Sequence, residues 1–207
     1  MNLFAKDTKY GILVNKENPL SRDDVPEGLV PVKSKVTSFI DPNHQLMLNP
    51  AALAGFEELQ HLMAKYMFDL QVSSGYRSYD CQELILAHNL REKGEAAYKT
   101  VALPGSSEHQ TGLALDYVLY SQKPRSEMGI AELVLFKAKL EAAHILVMKN
   151  AHKCGLIARY QKGMEQVTGF AAEPWHLRFF GHDEARNIYN KGVPYEQYVS
   201  QAGGQKR

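Results

Sequence analysis

Ser106-Ser107-Glu108-His109-Gln110-Thr111-Gly112-Leu113-Ala114-Leu115-Asp116 is the stretch on which the fold and the chemistry of this chain turn. It leaves a loop marked by Pro104-Gly105 and enters an apolar strand, Leu113 to Tyr120, that one carboxylate interrupts. A buried carboxylate is costly unless it is paired or binds a metal. Asp116 therefore has two readings: a solvent-facing residue of an amphipathic strand, or a ligand. His109 precedes it by seven residues, where a loop histidine can meet the start of the strand. Gly112 and the small side chains of Ser106, Ser107 and Ala114 leave room for other groups to approach. Taken alone, His109 reads equally as a hydrogen-bonded structural residue.

A second stretch, Glu173-Pro174-Trp175-His176, sets an acid three residues before a histidine across a proline turn. Two histidines, an aspartate and an open fourth position are the composition of a catalytic zinc site. A closed structural site would ordinarily carry cysteines. Cys81 and Cys154 are far apart, lack CxxC spacing and read as reduced thiols. A carboxylate beside such a metal, not itself a ligand, can move protons, and Glu173 suits that task. The competing reading is a surface cluster of acid and imidazole groups. Arg77 ends Ser73-Ser74-Gly75-Tyr76-Arg77 at a strand-to-helix turn. Its guanidinium suits a carboxylate or a developing oxyanion, although alone it reads first as a surface ion pair. His44, His61, His88, His144, His152 and His182 read as surface or structural, and Trp175 and Tyr160 as core or pocket-wall aromatics.

Around these stretches the chain reads as α+β with a central antiparallel sheet flanked by helices. Asn49-Pro50 is a helix start, and Leu53, Phe56, Leu59, Leu62, Met63 and Tyr66 continue one apolar face to about Asp69. Strands are expected at Leu70–Ser74, Leu113–Tyr120, Leu156–Tyr160 and Trp175–Phe180. Helices are expected from Ser78 to Gly94, from about Ser126 to Lys153 with Gly155 as its cap, from His182 to Asn190 and from Pro194 to Gln201. Tyr98 to Gln110 reads as loop. Residues 1–48, rich in proline and with short extended pieces at Gly11–Asn15 and Gln45–Leu48, read as a wrap on a core spanning 49–201, all within a single domain of 207 residues. Gly203 to Arg207 reads as a loose tail.

Composition excludes several classes. With 24 basic and 23 acidic side chains and scattered aromatics, no field or stacking stripe points to nucleic acid. No apolar run reaches the roughly 20 residues that span a bilayer. Met1-Asn2-Leu3-Phe4-Ala5-Lys6-Asp7 shows no apolar export signal, so the expectation is a cytoplasmic protein, or an envelope-facing one whose leader or anchor has been removed.

Three motifs together resemble the zinc D-alanyl-D-alanine carboxypeptidases of the VanY type and the bifunctional VanXY type. They are Ser74-Gly75-Tyr76-Arg77-Ser78 with Gln82, the run Pro104 to Asp116, and Glu173-Pro174-Trp175-His176-Leu177-Arg178-Phe179-Phe180-Gly181. Leu13-Val14-Asn15-Lys16, Asn150-Ala151-His152-Lys153 with Gly155, and Arg159-Tyr160 with Glu165, Thr168 and Gly169 extend the likeness from about Gly11 to Tyr198. The resemblance implies a Hedgehog/DD-peptidase-like fold and one zinc ion held by His109, Asp116 and His176. It makes Glu173 the catalytic acid/base and Arg77 the contact to the scissile carbonyl. It places Ser107, Gln82, Tyr76 and Trp175 against substrate. The implied substrate is a peptidoglycan stem peptide or precursor ending in D-Ala-D-Ala, with a D-Ala-D-Ala dipeptidase or dual-function enzyme as the alternative. A non-catalytic zinc-containing, wall-binding module is the remaining rival. Gln161 and Ser74 depart from residues common at their positions in relatives; none of the implied metal or proton-transfer positions is lost.

Overall fold

The computed structural model describes residues 9–38 and 45–201. The expectations for residues 1–7, His44 and the tail from Gly203 lie outside them. In chain order the elements are β1 (Val30–Pro31), β2 (Met47–Leu48), α1 (Pro50–Ala64), β3 (Leu70–Ser74), α2 (Tyr79–Lys93), β4 (Ala114–Leu119), α3 (Ile130–Asn150), β5 (Leu156–Ala158), α4 (Glu165–Thr168), β6 (His176–Phe179), α5 (His182–Lys191) and α6 (Tyr195–Gln201). The main sheet has four strands in the order β3-β4-β6-β5. Every neighbouring pair is antiparallel. This is the α+β architecture the element pattern implies.

Strand alternation divides the sheet into two faces. Leu70 and Val72 of β3, Leu115, Tyr117 and Leu119 of β4, Leu156 and Ala158 of β5, and Leu177 and Phe179 of β6 share one buried apolar cluster. Phe56, Leu59 and Met63 of α1 and Ala143 and Val147 of α3 pack into the same cluster. The alternate residues, Asp116 on β4 and His176 and Arg178 on β6, therefore face away from that core. A smaller cluster of Ile157, Phe180, Ala185, Ile188 and Tyr195 ties α5 and α6 to the back of β5. The N-terminal segment lies against the same body: Arg178 donates to the carbonyls of Tyr10 and Ile12, and Gln110 donates to that of Ser21.

Helix limits differ from the pattern in two places. α1 ends at Ala64, short of Asp69, because Met67 adopts a left-handed turn at φ 60°. That reversal delivers Phe68 into the core while Met67 stays 82% exposed, so burial overrides the helical period. The helix expected from Ser126 is broken: a single 3₁₀ turn covers Arg125–Glu127, and α3 starts only at Ile130. The Glu132 carboxylate accepts from the Gly129 N–H at 2.8 Å and so caps the new start. Tyr98 to Gln110 is not all loop. Gly94–Lys99 and Glu108–Thr111 are 3₁₀ turns. Among the described residues no helix is long and apolar enough to cross a membrane.

Gly55 marks the closest approach of α1 to the sheet. A Cβ there would stand 2.5 Å from the Cys154 carbonyl oxygen and 2.9 Å from the Phe179 ring. In an open helix, alanine is favoured over glycine by about 0.5–1 kcal/mol. Here overpacking against backbone, about 1–3 kcal/mol, decides the sign. Gly55→Ala is expected to lower the unfolding free energy by about 1–2 kcal/mol in a urea titration; a gain in stability would show that α1 can move off the sheet freely.

Candidate metal centre

Strand register performs the first step of assembly. β4 and β6 pair with Asp116 opposite His176, so the two side chains leave the polar face of the sheet side by side. On the other flank Ser74 pairs with Asp116 after an irregularity between Val72 and Ser74. The following residue, Gly75, then offers its carbonyl to the third component. His109 comes from the 3₁₀ turn Glu108–Thr111, which the Ser107 hydroxyl caps and Gly112 ends at φ 68°.

The three residues converge. His109 Nε2 lies 3.3 Å from Asp116 Oδ2, and His176 Nδ1 lies 3.1 Å from Asp116 Oδ1. One ligand-type atom from each residue falls within 4.8 Å of the other two. The outer nitrogen of each imidazole is already committed. His109 Nδ1 donates to the Gly75 carbonyl at 2.6 Å, and His176 Nε2 donates to Glu108 Oε2 at 3.1 Å. Those bonds leave the inner nitrogens, His109 Nε2 and His176 Nδ1, as the ones a metal can take beside Asp116. His109 Nε2 is buried and makes no well-aligned hydrogen bond. Two imidazole nitrogens, one of them without a partner, and a carboxylate fit a divalent cation with nitrogen and oxygen preference.

The electrostatics agree. Burial lowers the His109 imidazole to about 4, with Arg77 adding to the effect against the pull of Asp116. Burial would raise Asp116, yet the charges and hydrogen bonds of His109 and His176 hold it well below the usual carboxylate range. Burial would lower His176, but its bonds to Asp116 and Glu108 carry it up to about 9. A cation entering the site therefore displaces a proton. Burial pushes Glu173 above its ordinary value, opposed by His176 and reinforced by Asp116.

Glu173 sits next to this group, its Oε2 3.9 Å from His176 Nδ1. Its backbone N–H donates to the Tyr160 carbonyl, and its own carbonyl accepts from the His176 N–H, so the turn over Pro174 is pinned at both ends. His109, Asp116, His176, Glu173, Arg77, Gln82, Ser107 and Trp175 line one cleft of about 240 Å³. Tyr160 and Phe170, stacked with ring centroids 4.7 Å apart, form a wall of it. Gln82 donates to the Ala102 carbonyl at 2.8 Å and keeps its buried Oε1 without a partner. Trp175 stands at the rim, 42% exposed. Tyr76 precedes Arg77 without lining that cleft, and its N–H donates to the Met47 carbonyl.

Glu108 is the residue that sequence reasoning missed. Its side chain is fully buried, with Oε2 3.2 Å from Arg159 Nε and Oε1 3.7 Å from the Arg178 guanidinium. Arg159 in turn makes a two-pronged bond to Glu196 of α6. Burial would raise the Glu108 carboxyl, but Arg159, the bond from His176 and Arg178 lower it to about 2. The available signal was the pair of arginines interrupting the apolar runs Leu156-Ile157-Ala158-Arg159 and Leu177-Arg178-Phe179-Phe180. A cation set into an apolar strand needs a buried anion.

Among solved structures the chain is similar to the LdcB LD-carboxypeptidase, with a TM-score of 0.73 at 34% identity over 91% of this chain and 85% of that one. It is similar to a glutamate-to-alanine mutant of the vancomycin-resistance D,D-pentapeptidase VanY in complex with Zn(II), with a TM-score of 0.72 at 25% identity over 91% and 97%. The fold is thus the Hedgehog/DD-peptidase-like one those enzymes share. In sequence it is 32% identical over 187 residues to the bifunctional D-Ala-D-Ala dipeptidase and carboxypeptidase VanXYC of Enterococcus gallinarum, covering 90% of this chain and 91% of that protein. It is 35% identical over 187 residues to the putative carboxypeptidase YodJ of Bacillus subtilis strain 168; that match covers 90% of this chain and only 65% of the relative's length. Residues 45–182 match the model of the VanY D-alanyl-D-alanine carboxypeptidase family, and the chain belongs to that family.

Removing one member of a buried charge network strands the others, at about 3–5 kcal/mol. Arg159→Met, which keeps most of the apolar stem, is expected to destabilise the fold by about that amount in urea denaturation. A change below about 1 kcal/mol would mean that water or another cation relieves Glu108 and Glu196.

Proposed function

We propose that this chain is a zinc-dependent D,D-carboxypeptidase that removes the terminal D-alanine from peptidoglycan stem peptides or precursors ending in D-Ala-D-Ala. The observation that carries this reading is the convergence of two histidine nitrogens and a carboxylate within 4.8 Å, with a second acid, Glu173, beside them in one cleft. His109, Asp116 and His176 would hold one zinc ion, which would supply Lewis acidity toward a water and a peptide carbonyl. The remaining work falls to protein groups. Glu173, raised by burial, accepts the proton of the attacking water and returns it to the amine of the departing D-alanine as the C–N bond breaks. The guanidinium of Arg77, whose buried Nε has no partner of its own, faces the developing oxyanion. Gln82 and Ser107 meet the polar atoms of the substrate terminus. Trp175, Tyr160 and Phe170 limit the cleft to a small terminal residue and screen it from water.

A second reading follows from two relatives. LdcB is named an LD-carboxypeptidase, and VanXYC a dipeptidase as well as a carboxypeptidase. On this chain each of these activities would draw on His109, Asp116, His176 and Glu173 and would differ in what precedes the terminal D-alanine.

The test is D-alanine release from a muramyl pentapeptide ending in D-Ala-D-Ala, from the corresponding tetrapeptide and from free D-Ala-D-Ala. Release from the pentapeptide is expected, stopped by a chelator and restored by zinc; preference for either other substrate would reassign the specificity. His109→Ala is expected to lose zinc on metal analysis of the purified protein. Glu173→Ala should retain zinc while kcat falls by about 10²–10⁴-fold, the range for a lost general acid/base. Near-normal turnover in that variant would remove Glu173 from the chemistry.

A further inference from the structure

We propose that Glu108 is a positioning residue for zinc: its buried carboxylate holds His176 in the one tautomer that presents Nδ1 to the cleft. This rests on the zinc reading above and adds to it a residue outside the ligand set.

The geometry leaves His176 little choice. Its ring has two nitrogens: Nδ1 points at Asp116 Oδ1, and Nε2 at Glu108 Oε2, each at 3.1 Å. Glu108 is flanked by two buried guanidiniums, those of Arg159 and Arg178. Arg159 and Arg178 offer that carboxylate only donors, so it meets His176 as an acceptor. The hydrogen between them then sits on Nε2, which leaves Nδ1 as the nitrogen a metal can take. Arg159 additionally ties the two strands, its N–H donating to the His176 carbonyl at 2.9 Å. His109 obtains the same service from a backbone carbonyl, that of Gly75, which no side-chain substitution can remove. His176 alone depends on a side chain for its tautomer, and Glu108 is therefore the point at which metal affinity can be altered without touching a ligand.

The experiment has three arms. First, nitrogen-15 NMR of the histidine rings in the zinc-loaded parent protein should show hydrogen on Nε2 of His176; hydrogen on Nδ1 would overturn the proposal without any variant. Second, zinc affinity measured by competition with a chromogenic chelator should fall about 10–100-fold in Glu108→Gln, the usual cost of losing a ligand's partner. Glu108→Asp, which keeps the charge, should recover part of it. Third, Glu196→Gln loosens the same network at its far end, away from His176. It should lower thermal stability while zinc affinity stays within about threefold. Equal loss of affinity in Glu196→Gln and Glu108→Gln would assign the effect to general loosening and overturn the positioning role. Unchanged affinity in Glu108→Gln would do the same. Failure of the parent protein to bind zinc at all would instead overturn the metal reading itself.

Discussion

The pairing of β4 with β6, Asp116 opposite His176, is the constraint on which the rest depends. A slip of β6 by one residue against β4 would turn Leu177 to the cleft and drive His176 into the apolar core. The core forbids that slip, because Leu115, Tyr117, Leu177 and Phe179 all have to reach α1 and α3. Ordinary hydrophobic burial on one face thus fixes the positions of two ionisable groups on the other. No stabilising contribution from those groups is needed to place them, which frees their lone pairs for a ligand.

The cleft side of the sheet is held by a different force. Glu108, Arg159, Arg178 and Glu196 form a buried network joining the 3₁₀ turn that bears His109, the strands β5 and β6, and the C-terminal α6. Such networks contribute little net stability against an apolar alternative, since desolvation offsets attraction. Their value here lies in direction. Each group has one arrangement that satisfies its neighbours, and that arrangement orients His176 for a proposed metal. Arg178 extends the network to the carbonyls of Tyr10 and Ile12, so the N-terminal segment is held by the same charges.

The readable parts of the chain were those with local causes. Leu70–Ser74 and the helix capped by Ser78 and ended by Gly94 appear as the pattern indicates. Five residues, His109, Asp116, His176, Glu173 and Arg77, do line one cleft. Where the cause was distant, the pattern misled. The apolar spacing of α1 continues past Ala64, but Phe68 gains more by turning into the core than by extending the helix. Glu108 stood in plain view between Ser107 and His109, and nothing adjacent to it indicates full burial; its partners are 51 and 70 residues further along the chain.

Sequence alone determined the element types and the antiparallel α+β class, and it supplied the side chains from which a metal site is proposed. The elements follow from periodicity and capping, which act over a few residues. Tertiary structure decided which nitrogen of each histidine faces the cleft, which acid stands beside His109, Asp116 and His176 and which lies behind them, and what fills the space behind His176. Those choices depend on hydrogen-bond partners and low-dielectric surroundings supplied by strands and turns remote in sequence, and such partners exist only once the sheet has closed.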